Sequence, residues 1–358
     1  MFRCGAERRG LHRGRVGLLT AGAQAARQRY GRAVLPLCLV TGASSFVARA
    51  LVPRLARTHR LRLLVREGQR LEQFAGVPHE RVEGRLEDAR ALSQGLAGVD
   101  RVVHLAAIVS FRDEDRQRMF EVNAGGTARL ARLALAAGVR RLLHVSTISA
   151  VGYSDEPREL DERAPFNFAP LQIGYSDSKF AAEQRALEVC REGLDVVIVN
   201  PPSMYGPGDR RKGDDSLLGA VMQGKIRAAP SGGTNVANVY DVCDGMIAAL
   251  ERGRCGERYI LGGENLTGRA LLERIARVVG GTAPRRAAPR RLVLAGARAL
   301  RLKERVLGSR PPVTSQILQL AARYMWYSSA KADRELDWRA GPLDPGIQAA
   351  WDQLRSAP

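Results

Sequence analysis

Short apolar runs alternate with helix-like segments along most of residues 35–200. The first run, residues 35–40, stops at the turn TGASS (residues 41–45), and a helical pattern occupies residues 46–59. Five more runs follow, with helix-like stretches between them: residues 61–65, 81–84, 101–108, 141–145 and 194–199. Unbroken apolar runs are typical of strands that are buried on both faces. The sequence therefore predicts an α/β fold, a doubly wound parallel sheet of the Rossmann type.

The alternation ends at Pro201, where a stretch rich in Gly and Pro begins. Two later strand-like segments, NVANVY ending at Tyr240 and ERYILGG ending at Gly263, bracket a helix and are expected to rejoin the sheet. The rest of the chain reads as a smaller, mostly helical C-terminal lobe on the substrate side. We divide the sequence into residues 1–36, a basic flexible tail or a start codon placed too early; 37–200, the Rossmann domain; 201–235, substrate-side loops; 236–263, the return to the sheet; and 264–358, the C-terminal substrate lobe.

The net charge of +19 is typical of a nucleic-acid-binding protein, but its distribution is not. Only five of the 56 basic residues are Lys, and the Arg residues are spread along the chain, so we expect no nucleic-acid partner. The five Cys show no Cys-x-x-Cys spacing, which predicts neither a zinc site nor any other metal site. No apolar run is long enough to span a membrane, and reduced cysteines suit a cytoplasmic protein.

Tyr175 and Lys179 lie one turn apart on a predicted helix covering residues 171–193. An ammonium group close to a phenol favours the phenolate, so this pair could exchange a proton with a carbonyl or alcohol oxygen near neutral pH. Proton exchange of this kind accompanies hydride transfer. Taken alone the four-residue spacing is weak evidence, because eight Tyr and five Lys in 358 residues give a chance match roughly one time in nine. Its significance depends on the motifs that precede it.

Eight short motifs occur in one order along the chain. They are TGASSFVA (41–48), VHLAA (103–107), NAGGT (123–127), VST (145–147), Tyr175-x-x-x-Lys179, PPSMYGP (201–207), ILGGENLT (260–267) and SSxKA (328–332). As an ordered set they resemble the extended short-chain dehydrogenases/reductases, the NAD-dependent epimerase/dehydratase superfamily. The similarity is greatest to dihydroflavonol-4-reductase-like, 3β-hydroxysteroid-dehydrogenase-like and hopanoid-associated epimerase-like members, and it covers residues 37–354.

This resemblance implies roles for individual residues. Tyr175 would be the acid/base, Lys179 would lower its pKa and hold the cofactor ribose, and Thr147 would orient the substrate oxygen. Pro201 and Ser203 would border the nicotinamide. The remaining cofactor contacts would come from Thr41, Gly42, Ser44, Ser45, Phe46, Val47, Arg66, Leu86, Ala106 and Ala107.

Two positions depart from the family pattern or bear on the choice of cofactor. Ser45 replaces the second glycine of the phosphate-binding turn, and the added Cβ predicts weaker cofactor binding. Arg66 follows the second predicted strand, where an acidic residue would select NAD, and a guanidinium suits the 2′-phosphate of NADP. NADP(H) is therefore favoured, while Glu67 beside Arg66 keeps NAD(H) open.

The resemblance implies an NAD(P)-dependent oxidoreductase that moves a hydride between nicotinamide and a carbonyl or secondary alcohol. A hydrophobic, steroid-like or flavonoid-like small molecule is the favoured substrate, because Thr234 and Asn238 stand where nucleotide-sugar enzymes carry Arg and His. A sugar or nucleotide-sugar epimerase/dehydratase is the alternative within enzymes. A cofactor-binding regulator without catalysis is the alternative from another class, although such relatives tend to lose the Tyr or Lys.

A membrane surface and a second copy of the chain are two further candidate partners. Residues 290–307 form a basic amphipathic stretch that could contact a membrane surface, but such a stripe usually packs on its own domain. Relatives often pair through the Tyr-bearing helix, so the resemblance also suggests a homodimer. The expected localisation is cytoplasmic, and peripheral association with a membrane is the alternative.

Overall fold

The computed structural model describes residues 35–208 and 216–356, so nearly all of the basic segment 1–36 lies outside the described part. The strands of the described residues are β1 (Leu37–Thr41), β2 (Arg60–Val65), β3 (Glu80–Glu83), β4 (Arg101–His104), β5 (Arg141–Val145), β6 (Glu159–Leu160), β7 (Val196–Asn200), β8 (Ser203–Tyr205), β9 (Gly233–Asn238), β10 (Arg258–Ile260), β11 (Glu264–Thr267) and β12 (Tyr324–Tyr327). The α-helices are α1 (Phe46–Leu55), α2 (Ala89–Leu96), α3 (Arg116–Met119), α4 (Gly126–Ala136), α5 (Gly174–Arg191), α6 (Leu217–Met222), α7 (Val239–Arg252), α8 (Gly268–Val279), α9 (Arg290–Leu307), α10 (Ser315–Ala321), α11 (Ala330–Leu336) and α12 (Asp344–Ser356). Six π-helical residues, Phe120–Gly125, join α3 to α4.

Seven parallel strands form the central sheet, in the order β10-β7-β5-β4-β1-β2-β3. One apolar core packs on each face: α1 and α7 cover one side, and α2, α4 and α5 cover the other. The strand order reverses between β1 and β4, which places a crevice at the carboxyl ends of these two strands. The predicted α/β fold is confirmed.

The expected helix between the second and third strands is wrong. Residues 66–79 form turns and a three-residue 3₁₀ helix, Glu72–Phe74. Gly68 adopts a φ of 67°, and Gly76 and Pro78 follow, so residues 69–75 are the longest run between positions that disfavour a helix.

A second, smaller sheet in the order β11-β9-β12-β6, with β8 paired to β9, lies outside the central sheet. The expectation that NVANVY rejoins the central sheet is therefore wrong, and of residues 236–263 only β10 does so, beside β7. Asn235 of β9 explains the preference, because its buried amide donates to Asn265 Oδ1 at 2.7 Å and accepts from Gly263 N at 2.8 Å. The stretch 201–235, where loops were expected, contains β8, α6 and the start of β9.

The C-terminal lobe consists of α8 to α12 with β11 and β12. Within it, α9 and α10 form a hairpin that lies against the segments bordering the amino end of α5. Arg301 of α9 donates to Gln172 Oε1 at 2.8 Å, and Gln316 of α10 donates to Asp113 Oδ1 at 2.6 Å. Among the described residues, we find no helix with the length and apolar character that crossing a bilayer requires.

Candidate active site

The turn after β1 packs tightly against the end of β4. Gly42 has a φ of 72°, and a Cβ at this position would lie 2.6 Å from Ala106 N. Thr41 also holds the turn against the end of β4. Its hydroxyl oxygen accepts from Ala106 N at 3.3 Å and lies 2.7 Å from His104 Nδ1. Only glycine combines this backbone conformation with this close approach. The turn is thus a shallow cradle at the point where the strand order reverses.

The amino end of α1 opens onto this cradle. Ser44 is exposed, and Ser45 caps the helix by accepting from Ala48 N at 3.1 Å. The first N–H groups of a helix, here those of Phe46 and Val47, have no partner inside the helix, and the helix dipole favours an anion beside them. This donor set fits the pyrophosphate of a nicotinamide dinucleotide.

We predict that Ser45→Gly raises NADPH affinity by about threefold to tenfold, because removing the Cβ lets the pyrophosphate approach the turn. Ser45 has a φ of −72°, so the backbone itself does not require glycine. Quenching of protein fluorescence by NADPH measures the dissociation constant. Ser45→Ala is the matched control, since it removes the capping hydroxyl but keeps the Cβ, and it should bring no gain. Equal affinities in all three proteins would show that Ser45 does not weaken binding.

The adenosine side of the site agrees with the sequence only in part. Arg66 directly follows β2 and is exposed, with its Nε 3.4 Å from Gln69 Oε1, so the guanidinium is accessible to a ligand. Leu86, in contrast, is buried in the core against Gly126, and its carbonyl accepts from Arg129 at 2.9 Å. A cofactor contact from the Leu86 side chain therefore has no support. Ala106 and Ala107 are partly exposed behind the cradle.

The expected catalytic residues converge at the amino end of α5 and the carboxyl end of β5. Tyr175 is partly exposed, and its ring meets the Phe111 ring edge-on at 5.7 Å between centroids. Lys179 is buried, and its Nζ donates to Val145 O at 2.9 Å. The Thr147 hydroxyl accepts from Ser149 N at 3.2 Å, and its O–H lies close enough to Tyr175 to interact with the phenol oxygen.

The pKa values of Tyr175 and Lys179 are both shifted. Burial raises the pKa of the Tyr175 phenol, and the nearby Thr147 hydroxyl offsets only part of the rise. Lys179 is expected to lower the pKa of Tyr175, and in the protein alone its ammonium donates to the Val145 carbonyl at 2.9 Å. Burial lowers the pKa of Lys179 itself to about 8, against the opposing effect of Glu183. In the protein alone, Tyr175 is thus a protonated phenol at neutral pH.

A buried polar network behind these residues was missed by the sequence analysis. Glu183, one turn beyond Lys179, is fully buried and accepts from Asn200 Nδ2 at 2.7 Å. The same Asn200 amide donates to Thr147 O at 2.9 Å, and Arg258 of β10 forms an ion pair with Glu183. The signal in the sequence was the repeated spacing of four from Tyr175 to Lys179 to Glu183, which puts all three on one helix face.

The segment after β7 completes the site. Pro201 is buried and its carbonyl accepts from Ile148 N at 3.0 Å, which ties this segment to the Thr147 loop. Ser203, the first residue of β8, is exposed. Both residues thus follow the carboxyl end of β7, next to the strand that carries Thr147. The structure therefore gathers Thr41, Gly42, Thr147, Tyr175, Lys179 and Pro201 at one edge of the sheet.

Comparison with known proteins identifies this arrangement. Residues 38–262 match the NAD dependent epimerase/dehydratase family, and this match covers the cradle, the Tyr175 helix and the strands around them. The chain belongs to this family. It is an NAD(P)-dependent oxidoreductase of the extended short-chain dehydrogenase/reductase type.

Two similar proteins and one similar solved structure show how far the similarity extends. The chain is 36% identical over 262 residues to sterol demethylase protein B of Methylococcus capsulatus, covering 71% of this chain and 78% of that one. It is 31% identical over 303 residues to a Synechocystis sp. protein with the provisional name dihydroflavonol 4-reductase, covering 83% and 88%. The crystal structure of gox2253 is similar with a TM-score of 0.79 and 33% identity, covering 89% of this chain and 98% of that one.

Proposed function

We propose that the protein reduces a carbonyl group of a hydrophobic, steroid-like or flavonoid-like molecule, with NADPH as the favoured cofactor. The observation that carries this proposal is the convergence of Tyr175, Thr147 and Lys179 at the switch point of the sheet. A phenol has an ordinary pKa of about 10, and burial raises that of Tyr175 further, so the group keeps its proton at neutral pH and can donate it to a carbonyl oxygen.

The chain's own residues would act at the substrate oxygen. A bound nicotinamide would supply the hydride for the carbonyl carbon. The Thr147 hydroxyl would donate a hydrogen bond to the carbonyl oxygen, and the Tyr175 phenol would transfer its proton to that oxygen as negative charge develops there. Lys179 of α5, whose Nζ donates to the Val145 carbonyl, would also donate to the cofactor ribose. The products are an alcohol and the oxidised cofactor.

The preference for NADPH is supported by Arg66. An exposed guanidinium directly after β2 suits a 2′-phosphate, and this position holds no carboxylate that would select a ribose 2′-hydroxyl. Glu67 is also exposed beside it, so NADH remains the second cofactor to be tested.

A hydrophobic substrate is supported by the Phe111 ring, which contacts Tyr175, and by the apolar cluster that Phe111 joins. Phe111, Tyr153 and Phe166 are partly buried and pack against the apolar cluster of Ile148 and Phe168. Asn238 caps α7, accepting from Tyr240 N at 3.0 Å, and so does not provide the cationic contact that a nucleotide-sugar diphosphate needs. The names of the sterol demethylase and dihydroflavonol reductase relatives agree with this choice.

The test is a cofactor-by-substrate assay. The protein is incubated with NADPH or NADH and with 3-oxosteroids, dihydroflavonols or nucleotide sugars, and absorbance at 340 nm and product masses are followed. We expect oxidation of NADPH with hydrophobic ketones, slower reaction with NADH and none with nucleotide sugars. Epimerisation of a nucleotide sugar without net cofactor consumption would favour the epimerase alternative. Cofactor binding with no turnover in the whole panel or in a host extract would favour a regulator.

A further inference from the structure

Helix α9 exposes an apolar face. Leu292, Leu302 and Val306 are 67%, 65% and 69% exposed, and Ala295 and Ala299 lie between them on the same line of the helix. Within α9, only Ala297 is fully buried. The expectation that this stripe packs on its own domain is wrong, because α9 turns its other side to the protein.

Unpaired cations flank this face. Arg291 and Arg298 lie along one border and Lys303 along the other, all exposed and, within the described ranges, without an ion pair. Two other arginines of α9 are neutralised by the protein: Arg290 pairs with Asp155, and Arg305 pairs with Asp113 at 3.1 Å. The outer face of α9 therefore combines apolar side chains with positive charge that the protein does not neutralise.

The position of α9 relates this face to the site. Arg301, on the inner side of α9, donates to Gln172 Oε1, three residues before Tyr175. Arg112, beside the Phe111 ring that contacts Tyr175, donates to Pro311 O just beyond α9. Helix α9, roughly 10 Å across with its side chains, therefore lies between its outer face and residues that neighbour the candidate site.

We propose that the outer face of α9 docks on an anionic lipid bilayer, with Leu292, Leu302 and Val306 in the acyl boundary and Arg291, Arg298 and Lys303 at the head groups. An exposed apolar stripe bordered by cations is the pattern of helices that lie in this interface, and the charge is complementary to anionic lipid. Docking would bring a membrane-dissolved substrate to the site; this consequence rests on the proposed function, whereas docking itself does not.

Vesicle co-sedimentation of the full chain tests docking without any catalytic readout. We expect binding to vesicles of phosphatidylcholine with one third phosphatidylglycerol, and little binding to phosphatidylcholine alone. Leu302→Asp/Val306→Asp should weaken binding at least about tenfold, because each substitution replaces an apolar side chain that would be buried in the acyl boundary with a charged one. Arg291→Glu/Arg298→Glu should weaken binding at least about tenfold, since it replaces two cations that attract anionic lipid with two anions that repel it.

Arg163→Glu/Arg339→Glu is the matched control, since it makes the same charge change at two exposed arginines outside α9. It should bind like the unmodified protein. Equal binding by the α9 variants would place the attraction elsewhere, for example in the arginines of residues 1–36, and overturn the proposal. A dimer in solution that dissociates on Leu302→Asp/Val306→Asp, without vesicle binding, would also overturn it and make a second copy the occupant.

A second inference rests on a different observation, the approach of two thiols. Cys190, near the end of α5, and Cys255, in the turn before β10, are free and 65 residues apart, with their Sγ atoms 3.3 Å apart. Cys255 is exposed and Cys190 is partly exposed, so both are accessible to a small oxidant. A disulfide needs about 2.05 Å between the sulfurs, a further approach of roughly 1 Å.

We infer that Cys190 and Cys255 form a reversible disulfide when the protein meets a peroxide. One thiolate attacks hydrogen peroxide and becomes a sulfenic acid with release of water, and the second thiol displaces a second water as the S–S bond forms. Two thiols are thereby oxidised and one peroxide is reduced to two waters. The bond would tie the end of α5 to the turn that leads to Arg258, the partner of Glu183.

Mass spectrometry after peroxide treatment tests this pair, first on the intact protein and then on its proteolytic peptides. We expect a loss of two hydrogens, a linked Cys190–Cys255 peptide and reversal by dithiothreitol. Burial and the neighbouring Cys190 raise the pKa of Cys255 to about 11, so the rate should rise with pH. Cys190→Ser and Cys255→Ser should each abolish the link. An unchanged thiol count, or links that use Cys38 or Cys243 instead, would overturn the inference.

Discussion

Replacing Tyr175 with phenylalanine is expected to lower the rate of carbonyl reduction by roughly 10²- to 10⁴-fold, the usual contribution of a positioned proton donor. Phenylalanine keeps the ring that meets Phe111 edge-on at 5.7 Å, so the fold and the cofactor cradle should be unaffected. Single-turnover oxidation of NADPH at 340 nm, with the best ketone from the substrate panel, measures the chemical step separately from binding.

Tyr240→Phe is the matched control for this experiment. It also removes one phenolic hydroxyl, but from a ring on α7 that packs under the Arg54 guanidinium at 4.2 Å. Its single-turnover rate should equal that of the unmodified protein. If Tyr175→Phe reacted within threefold of the unmodified protein while still binding NADPH, another group would have to supply the proton.

The same residues predict the pH dependence. Carbonyl reduction needs the Tyr175 phenol, whose pKa is raised, so this step should persist through neutral pH and fail only at alkaline pH. Alcohol oxidation needs the phenolate and should rise over the same alkaline range. NADPH affinity should fall earlier, as pH passes about 8 and the Lys179 ammonium loses its proton. Titrations of affinity and of single-turnover rate across pH separate these two groups.

The central sheet could be predicted because its strands are buried on both faces and leave unbroken apolar runs. Residues 141–145, predicted as a strand, are β5. The sequence could not indicate which sheet a short strand joins, since pairing partners are distant in the chain. Thus β9 was assigned to the central sheet, whereas the amide of Asn235 binds it to Asn265 in the smaller one.

The candidate site divides in the same way. Residues in local motifs, such as Gly42 and the Tyr175–Lys179 pair, could be placed from the order of the motifs and the family resemblance that this order carries. The ion pair of Glu183 with Arg258 and the contact of Cys190 with Cys255 span 75 and 65 residues, and no local pattern reveals them. The apolar residues of α9 recur at helical spacing in the sequence, but only the structure shows which side of the helix the rest of the protein covers.

Glu183→Gln is expected to destabilise the protein by about 3 kcal/mol, because it leaves the Arg258 guanidinium without its buried counter-charge. Glu183 is fully buried and Arg258 is 17% exposed, so solvent replaces little of the lost interaction. Glutamine keeps the size of the side chain and an oxygen for Asn200 Nδ2, which isolates the effect of charge from that of the hydrogen bond to the Thr147 segment. Urea unfolding of the purified protein measures the free energy of unfolding.

Glu188→Gln on the same helix is the matched control, since Glu188 pairs with Arg185 at 3.0 Å at an exposed position and should cost at most about 0.5 kcal/mol. Glu183→Gln/Arg258→Met should recover much of the lost stability, because it removes both charges of the buried pair. Glu183 also opposes the lowering of the Lys179 pKa. In Glu183→Gln, NADPH affinity should therefore begin to fall at a lower pH than in the unmodified protein. A loss of stability equal to that of Glu188→Gln, with an unshifted affinity profile, would mean that Glu183 neither anchors Arg258 nor maintains the charge of Lys179.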